Sequence, residues 1–459
     1  MQYLFEPDIY TDRRRVLQAS MQGNVLLFPG NKNSPINYAA NYYRFRQDSN
    51  FLYYAGLDLP GLNLVIDADK GTTILYGDDA TMEDVVWTGP QPTLKELAAS
   101  VGIADVRPAS RLFEDYADCS MHTLPPYRAE HYAVLQRLAT HADCSVAPSE
   151  QLILAVVSQR EIKGPEEVAQ MEEALEITAQ MHTKVMRTAK SGMRESVLAG
   201  VATGIARANE GEPAYGIILS RDGHILHNHH YHNVLQKGDL VLGDFGAENR
   251  MRYAADITRT FPVDKRFSPE QADIYNIVLE AEMKGINAVR PGQMFRDVHL
   301  LASQIIADGL IAMGLMRGNP EDAVASGAHA LFFPHGLGHM IGLDVHDMEG
   351  LGEDHVGYGT ECTRSDQFGL AYLRMAKSLR PGHVVTVEPG IYFIPALIDQ
   401  WQRQGLHQAF IAYDKLTAFR NFGGVRIEDN VLVTAEGQRV LGPRIPKTVA
   451  EVESLRAKA

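Results

Sequence analysis

Two histidines that enclose a Gly-Leu-Gly stretch are the first residues whose spacing suggests chemistry. His335 and His339 begin and end the segment HGLGH, and His346 follows within the same twelve-residue span. The two glycines disfavour a helix, and the segment lacks the Glu of the HExxH zincin motif. In an extended segment, residues four apart point to the same side. One imidazole can therefore bind a metal while the other contacts a substrate.

Four acidic residues lie at or near the ends of apolar strands, far along the chain from the HGLGH segment. Asp244 ends VLGD, Glu388 ends VVTVE, and Asp256 shares a strand face with the two threonines of YAADITRT. Glu428 lies in GGVRIED, where strand alternation puts Arg426 on its face. A single acid at a strand end is usually a cap or turn residue. Four of them together with HGLGH indicate one shared site.

Such a set of acids predicts a centre with two metal ions. Buried carboxylates repel one another and resist ionisation unless cations neutralise them. Four carboxylates carry four negative charges, which two divalent ions would balance. Oxygen-rich coordination with a single imidazole favours manganese, magnesium or cobalt, with zinc as an alternative. The expected chemistry is hydrolysis by a metal-bridging water that has lost a proton.

Two other histidine and aspartate patterns have simpler interpretations. DFG within DFGAE matches a kinase tripeptide, but the sequence has no HRD loop and no GxGxxGxV segment to accompany it. HILHNHHYHN at residues 224–233 is typical of a polar loop between strands, in which at most one or two of the five histidines need be functional.

Composition is that of an anionic enzyme with room for two domains. The 459 residues include 43 Lys and Arg against 57 Asp and Glu, a formal net charge of −14, which argues against nucleic-acid binding. The N-terminal MQYLFEPDIYTDRRR has no apolar signal-peptide core, and the chain has no long apolar run. We therefore expect a cytoplasmic protein that binds no membrane. Cys119, Cys144 and Cys362 are scattered and indicate neither disulfides nor a thiolate zinc site.

The elements that must position these residues change character near residue 157. Before it, β-rich runs such as NVLLFPG, FLYYAGLDLPGLNLVID and TTILYGD alternate with helical stretches and predict a small α/β domain. Pro165 followed by two glutamates predicts a helix start. The stripe of that helix is expected to comprise Val168, Met171, Leu175, Thr178, Met181 and Val185. We predict domains at residues 1–157 and 158–459.

The ordered motifs LGDFGAE, YAADITRT, PHGLGHMIGLDVHD, VTVEPGIY and GGVRIED resemble those of the Xaa-Pro metallopeptidase family, which includes aminopeptidase P and prolidase. FRQDSNFLYYAGLDLPG resembles the N-terminal domain that those two enzymes share, so the resemblance spans nearly the whole chain. Methionine aminopeptidase, which normally lacks that domain, is the poorer match. The resemblance implies an α+β fold, with a C-terminal pita-bread (creatinase/aminopeptidase-like) catalytic domain and a smaller α/β N-terminal domain. It also implies a homo-oligomer, either a dimer or a tetramer.

The resemblance assigns a role to each motif residue. Two divalent ions, manganese with cobalt, zinc or magnesium as alternatives, would be held by Asp244, Asp256, His339, Glu388 and Glu428. Asp256 and Glu428 would bridge both ions. On the substrate side, the family implies that His227, His335 and His346 transfer protons and hydrogen-bond the reacting carbonyl, with Arg426 in the active centre. Asp244 and Asp256 are twelve residues apart, one more than expected for the family, and the ENRMRY turn between them would absorb the extra residue.

Three activities fit this resemblance. An Xaa-Pro aminopeptidase of the aminopeptidase P type, acting on proline-containing peptides, is the preferred hypothesis. A prolidase, which cleaves only Xaa-Pro dipeptides, is the alternative, because Arg374 in YLRMAKSLRPG matches an arginine that captures the dipeptide carboxylate in prolidase. An arginine on such a predicted helix is, however, more often a surface or salt-bridged residue. A metal-free binding module or a creatinase-like hydrolase on the same fold is the third hypothesis, and the complete ligand set argues against it.

Overall fold

The computed structural model describes residues 3–140 and 144–458. The described chain forms two compact units. The first comprises the residues up to Arg160 together with Gly350–His355, and the second comprises Glu161–Glu349 together with the residues from Val356 onward. The boundary predicted at residue 157 falls inside the helix Glu150–Arg160. Within the described ranges, no helix combines the length and apolar content needed to cross a membrane.

The first unit is built around a mixed β-sheet. Its strands are β1 (Val25–Pro29), β2 (Asn63–Asp67), β3 (Thr72–Tyr76), β4 (Asp105–Arg107), β5 (Ser120–Thr123) and β6 (Ser145–Pro148). Its helices are α1 (Pro7–Ser20), α2 (Ser49–Ala55), α3 (Met82–Thr88), α4 (Leu94–Ala99), α5 (Leu112–Asp115), α6 (Ala129–Leu138) and α7 (Glu150–Arg160). The strand order is β4-β3-β2-β1-β5-β6. Strand β2 is antiparallel to β1 and β3, whereas the pairs β3–β4, β1–β5 and β5–β6 are parallel.

The prediction of β-structure across FLYYAGLDLPGLNLVID is wrong for the first part of this segment. The FLYYA segment lies in α2, because the Asp48 side chain accepts a hydrogen bond from the Phe51 backbone N–H at 2.8 Å and caps the helix. Gly56 ends this helix with a φ of 69°, a left-handed conformation that glycine adopts readily. Only Asn63–Asp67 forms a strand, β2. Local capping therefore overrides the β-propensity of the aromatic residues.

The second unit contains the remaining elements. Its helices are α8 (Pro165–Thr188), α9 (Glu195–Ala208), α10 (Pro269–Ala288), α11 (Phe295–Ala312), α12 (Pro320–Ala325), α13 (Pro395–Gln404), α14 (Tyr413–Leu416) and α15 (Val449–Ala457). Its strands are β7 (Glu212–Pro213), β8 (Ile218–Ser220), β9 (Leu240–Asp244), β10 (Ala247–Glu248), β11 (Thr258–Pro262), β12 (Val384–Val387), β13 (Gly390–Tyr392), β14 (Gly424–Arg426), β15 (Asp429–Val433) and β16 (Gln438–Val440). They form small sheets ordered β11-β9-β8, β12-β15-β16, β13-β14 and β10-β7.

The helix predicted to begin at Pro165 is confirmed as α8. The Glu167 side chain accepts a hydrogen bond from the Gly164 backbone N–H at 3.1 Å, which satisfies one of the unpaired donors at the helix start. All members of the predicted stripe are buried, namely Val168, Met171, Leu175, Thr178, Met181 and Val185. The 3.6-residue period of the sequence therefore identified the face of this helix that packs into the core.

Candidate active site

Glu388 and Glu428 face each other across two antiparallel chain segments. The ladders β12–β15 and β13–β14 share one continuous register, shown by the partners Val387–Asp429 and Gly390–Arg426. That register places Glu388 opposite Glu428 at the break between the ladders, although Glu428 was expected within a strand. Like charges directly opposite each other on a sheet are destabilising. The pair therefore favours either a bound cation or a shared proton.

Asp244 and Asp256 lie on the two arms of one hairpin. Asp244 ends β9 opposite Thr258, and backbone hydrogen bonds continue the pairing beyond the sheet. The register puts Asp256 opposite Gly246, so Asp256 is diagonal to Asp244. Asp256 was predicted to lie within a strand, but it lies two residues before β11 begins. A Cβ at Gly246 would lie 1.7 Å from the carbonyl oxygen of Ala255, so this close approach requires glycine.

The HGLGH segment lies beside β12 as an extended chain. The Thr386 N–H donates to the His339 carbonyl at 3.0 Å, and the Glu388 N–H donates to the Leu337 carbonyl at 2.8 Å. Gly338 allows this pairing, since a Cβ there would lie 2.0 Å from the carbonyl oxygen of Thr386. The segment is non-helical, as its glycines predicted, and it brings His339 next to the carboxylates.

His339 is oriented as a metal-binding imidazole would be. Its Nδ1 lies 2.9 Å from the Met340 carbonyl oxygen, which can only accept, so Nδ1 carries a proton. Its Nε2 lies 3.4 Å from Asp256 Oδ2 and 3.5 Å from Glu388 Oε1. Donor atoms of Asp256, His339 and Glu428 all lie within 4.8 Å of one another. A backbone acceptor that holds the remote ring nitrogen is the usual support for a histidine ligand.

The pKa values of the buried acids fit a site for divalent cations. Burial, together with the nearby Asp256, raises the pKa of Asp244 to about 6 and that of Glu388 to about 7. Burial and Asp256 also raise the pKa of Glu428 well above its usual range. Burial would raise the pKa of Asp256 too, but hydrogen bonds from His339 and Tyr215 keep it below the ordinary value. Cations would remove the repulsion that keeps protons on these carboxylates.

Hydroxyl groups hold the carboxylates in place. The Tyr215 hydroxyl lies 2.5 Å from Asp244 Oδ1 and also contacts Asp256 Oδ1, so it spans the two aspartates of the hairpin. The Thr258 hydroxyl donates to Glu428 Oε2 at 2.7 Å. Tyr215 was not singled out by the sequence, where it precedes a strand pattern without a motif of its own.

A chain of hydrogen bonds joins Arg426 to His335. Arg426 NH2 lies 2.5 Å from Asp244 Oδ2, and its NH1 donates to the Tyr392 hydroxyl at 2.7 Å. The Tyr392 hydroxyl lies 2.8 Å from His335 Nε2, while His335 Nδ1 donates to the Gly336 carbonyl at 2.8 Å. Burial and the charge of Arg426 lower the pKa of His335 to about 3. His335 is therefore a neutral imidazole whose Nε2 accepts from Tyr392.

His346 and Arg374 share one carboxylate. Glu349 accepts a hydrogen bond from His346 Nδ1, and its Oε1 lies 2.9 Å from Arg374 NH1. The His346 ring centroid lies 4.2 Å from that of His339. Hydrogen bonding from His346 and the charges of both partners lower the pKa of Glu349 to about 2. The helix expected around Arg374 is absent: Leu370–Tyr372 forms one short 3-10 turn, and Arg374 lies at a bend in the irregular segment that follows.

These residues surround a cavity of about 570 Å³. Its polar lining includes His227, Asp244, His335, His339, His346, Arg374, Glu388 and Arg426. Its apolar lining includes Leu226, Phe368, Tyr372, Ile394 and Leu397. Four histidines of HILHNHHYHN are exposed, namely His227, His229, His230 and His232, and of these His227 lines this cavity. The structure thus brings most of the predicted residues to the lining of one pocket, with Asp256 and Glu428 next to the lining residue His339.

The ENRMRY turn connects the hairpin arms that carry Asp244 and Asp256. Arg252 lies in that turn with a φ of 70°, and its N–H donates to the Asn249 carbonyl at 3.0 Å. Beyond the turn, the backbone pairing of the two arms is intact. The twelve-residue separation of the two aspartates is therefore accommodated without disturbing either arm.

Comparisons with family models match both parts of the chain. The model of metallopeptidase family M24 matches residues 169–435, and the model of the aminopeptidase P N-terminal domain matches residues 10–122. All the predicted metal-binding residues lie within the first of these ranges.

Comparisons with individual proteins find relatives along nearly the full length. A probable Xaa-Pro aminopeptidase of Uncinocarpus reesii is 33% identical, covering 90% of this chain and 85% of that protein. The Xaa-Pro dipeptidase of Homo sapiens is 31% identical, covering 97% and 91%. The structure of Zn-substituted E. coli aminopeptidase P in complex with product matches with a TM-score of 0.82 and 27% identity, covering 99% of both chains.

Proposed function

The chain belongs to metallopeptidase family M24 and is a metallo-exopeptidase, and we propose that it removes the N-terminal residue from peptides whose second residue is proline. The observation that carries this proposal is the cluster of four carboxylates around His339, three of them buried and Glu388 partly buried. His339, Asp244 and Glu388 also line a cavity. A bond to proline has no N–H and is sterically crowded. Its hydrolysis therefore benefits from a centre that binds the free amino end and polarises the carbonyl together.

We propose that Asp244, Asp256, His339, Glu388 and Glu428 hold two divalent ions, with manganese as the native metal. The oxygen-rich donor set and the raised pKa values of Asp244 and Glu388 support this assignment. When bound, such ions supply Lewis acidity and make water acidic enough to act as a nucleophile near neutral pH.

The remaining polar residues would bind the substrate and move protons. His335 is neutral and is held by the Gly336 carbonyl and by Tyr392, so the pair of His335 and the Tyr392 hydroxyl is positioned to hydrogen-bond the reacting groups. His346 is oriented by Glu349, as a histidine that transfers protons commonly is by a carboxylate. His227 lies on the cavity wall, where it can hydrogen-bond the substrate. Arg426 is buried beside Asp244, where its charge would stabilise developing negative charge.

Prolidase activity is the second candidate, and Arg374 is the observation that favours it. This guanidinium lines the cavity and is about one-third exposed, at 33% of its side-chain surface. A dipeptide carries its free carboxylate directly on proline, and a planar guanidinium suits a carboxylate. The relatives include both an Xaa-Pro aminopeptidase and an Xaa-Pro dipeptidase, and substrate length distinguishes these two activities.

The decisive assay compares hydrolysis of an Xaa-Pro dipeptide with that of a longer peptide beginning with the same Xaa-Pro, in the presence of manganese. Cleavage of the longer peptide with release of the first residue is expected. Cleavage of the dipeptide alone would instead assign prolidase activity with Arg374 as carboxylate anchor. Inactivity on both, together with no metal found by elemental analysis, would refute the metallopeptidase assignment for this chain.

We further propose the domain limits 1–157 and 158–459, a cytoplasmic location and a homo-oligomeric state. The family resemblance supports the domain limits and the oligomer. Size-exclusion chromatography with light scattering would test the oligomer, for which a mass of about twice or four times 50.8 kDa is expected.

A further inference from the structure

We propose that Glu349 is a specificity-determining residue, which neutralises Arg374 and so disfavours substrates that carry a free carboxylate on the proline. This inference rests on the proposed Xaa-Pro peptidase function and deepens it. It concerns which of the two substrate lengths the cavity accepts.

The lining of the cavity has an uneven distribution of positive charge. Arg426 is buried, with 3% of its surface exposed, and is engaged by Asp244 and Tyr392. Arg374 is the more exposed of these two lining arginines and lies in the wall that also includes Phe368 and Tyr372. A substrate anion in this cavity would therefore meet Arg374 more readily than Arg426.

Glu349 places a carboxylate against that cation. Its Oε1 lies 2.9 Å from Arg374 NH1, within the range of a charge-assisted hydrogen bond, and its other oxygen accepts from His346 Nδ1. With a donor on each oxygen, this carboxylate is stabilised in its ionised form. Arg374 is thus already paired with a negative charge supplied by the protein itself.

The pairing has opposite consequences for the two substrate classes. The carboxylate of an Xaa-Pro dipeptide would have to approach Arg374 beside Glu349, where like charges repel. A longer peptide presents a neutral amide at the same place and meets no such repulsion. Glu349 therefore biases the cavity towards longer peptides, whereas Arg374 alone would favour dipeptides. Specificity of this kind arises as much from a repulsive group as from an attractive one.

The test uses two substrates of the same size that differ in charge, an Xaa-Pro dipeptide and the corresponding Xaa-Pro amide. The metal-loaded wild-type enzyme is expected to cleave the amide with the higher kcat/KM. Glu349→Gln keeps an acceptor for His346 and removes the charge beside Arg374. We expect this variant to raise the carboxylate-to-amide ratio of kcat/KM by about tenfold, or about 1.4 kcal/mol, mainly through a lower KM for the dipeptide.

Additional variants separate the charge effect from general damage to the site. Arg374→Met in the Glu349→Gln background should remove the gain, because the cation that attracts the carboxylate is then missing. Glu436→Gln removes an exposed acid outside the cavity lining and should leave the ratio unchanged. If Glu349→Gln does not fold, Glu349→Ala provides the same comparison.

Each outcome bears on the proposal. An unchanged ratio in Glu349→Gln would refute it, and so would a lower ratio, which would mean that Glu349 orients Arg374 to bind the carboxylate. A wild-type enzyme that already prefers the carboxylate substrate would also contradict it. If the wild type cleaves neither substrate nor a longer Xaa-Pro peptide, the proposed function itself fails. That result is distinguishable from the others, because they all require activity on at least one Xaa-Pro substrate.

Discussion

Replacing Glu388 with glutamine should make the metal-free protein more stable near neutral pH, although it removes a predicted metal ligand. Burial and the neighbouring Asp256 raise the pKa of Glu388 from 4.5 to about 7. Between these values the folded state binds more protons than the unfolded state, so stability falls as pH rises. At about 1.4 kcal/mol per pKa unit, the ionisable side chain lowers the free energy of unfolding by about 3 kcal/mol near pH 7.5.

The neutral side chain of Glu388→Gln removes this cost. In chelator-treated protein, we expect the variant to exceed the wild type in free energy of unfolding by about 3 kcal/mol near pH 7.5 and by about 1 kcal/mol near pH 5. Urea unfolding at the two pH values measures both differences, with the exposed Glu436→Gln as matched control. With manganese added, the order should reverse, because the wild type gains the binding energy of the ions.

A metal-free variant that is no more stable than the wild type near pH 7.5 would refute the electrostatic reasoning. It would mean that repulsion among the carboxylates is relieved by some other route, such as rearrangement of the side chains. An advantage of equal size at both pH values would also contradict it, because a packing effect does not titrate.

The remaining predictions concern the metal site, its supports and the stability of the second unit. Asp256→Ala should abolish metal binding and turnover together, measured by elemental analysis and peptide hydrolysis, and full activity would refute the two-metal assignment. Tyr215→Phe should weaken metal affinity by about tenfold to a hundredfold in a competition titration, because one hydroxyl holds two carboxylates. Tyr392→Phe should retain the metal and lower kcat by about tenfold, since it leaves His335 without that hydrogen bond; metal loss would contradict this role. Lys163→Met breaks a buried ion pair with Asp347 of 2.7 Å and should cost about 3–5 kcal/mol in urea unfolding, whereas the exposed Lys237→Met should change little.

The parts of the site that the sequence could predict are those with a local signal. Asp244 and Glu388 follow apolar strands and precede turn residues, so their positions at strand ends were readable from the pattern. The helix α8 has both a cap and a regular period. The extended conformation of HGLGH followed from its two glycines. Each of these features depends on neighbouring residues in the chain, which is what a pattern can report.

The supporting residues could not be predicted because their partners are distant in sequence. Tyr215 contacts Asp244 and Asp256 across 29 and 41 residues, respectively. Tyr392 meets His335 across 57 residues. Glu349 is only three residues from His346, but it begins a single 3-10 turn, Glu349–Leu351, which is too short for a sequence period to indicate which way its side chain points. A hydroxyl or carboxylate with such partners becomes recognisable only once strand register is known.

The charge balance of the site explains why Arg426 belongs to it. The four carboxylates alone would carry four negative charges, which two divalent ions would cancel. The guanidinium of Arg426, buried and 2.5 Å from Asp244, adds one positive charge that solvent screens weakly. His335 adds none, because burial and Arg426 lower its pKa to about 3. With both ions bound, the carboxylates would be neutralised, and the charge of Arg426 would balance that of the hydroxide that attacks the substrate. A fixed guanidinium is better matched to an oxyanion developing on the substrate than to the neutral peptide carbonyl, which is the difference that lowers a reaction barrier.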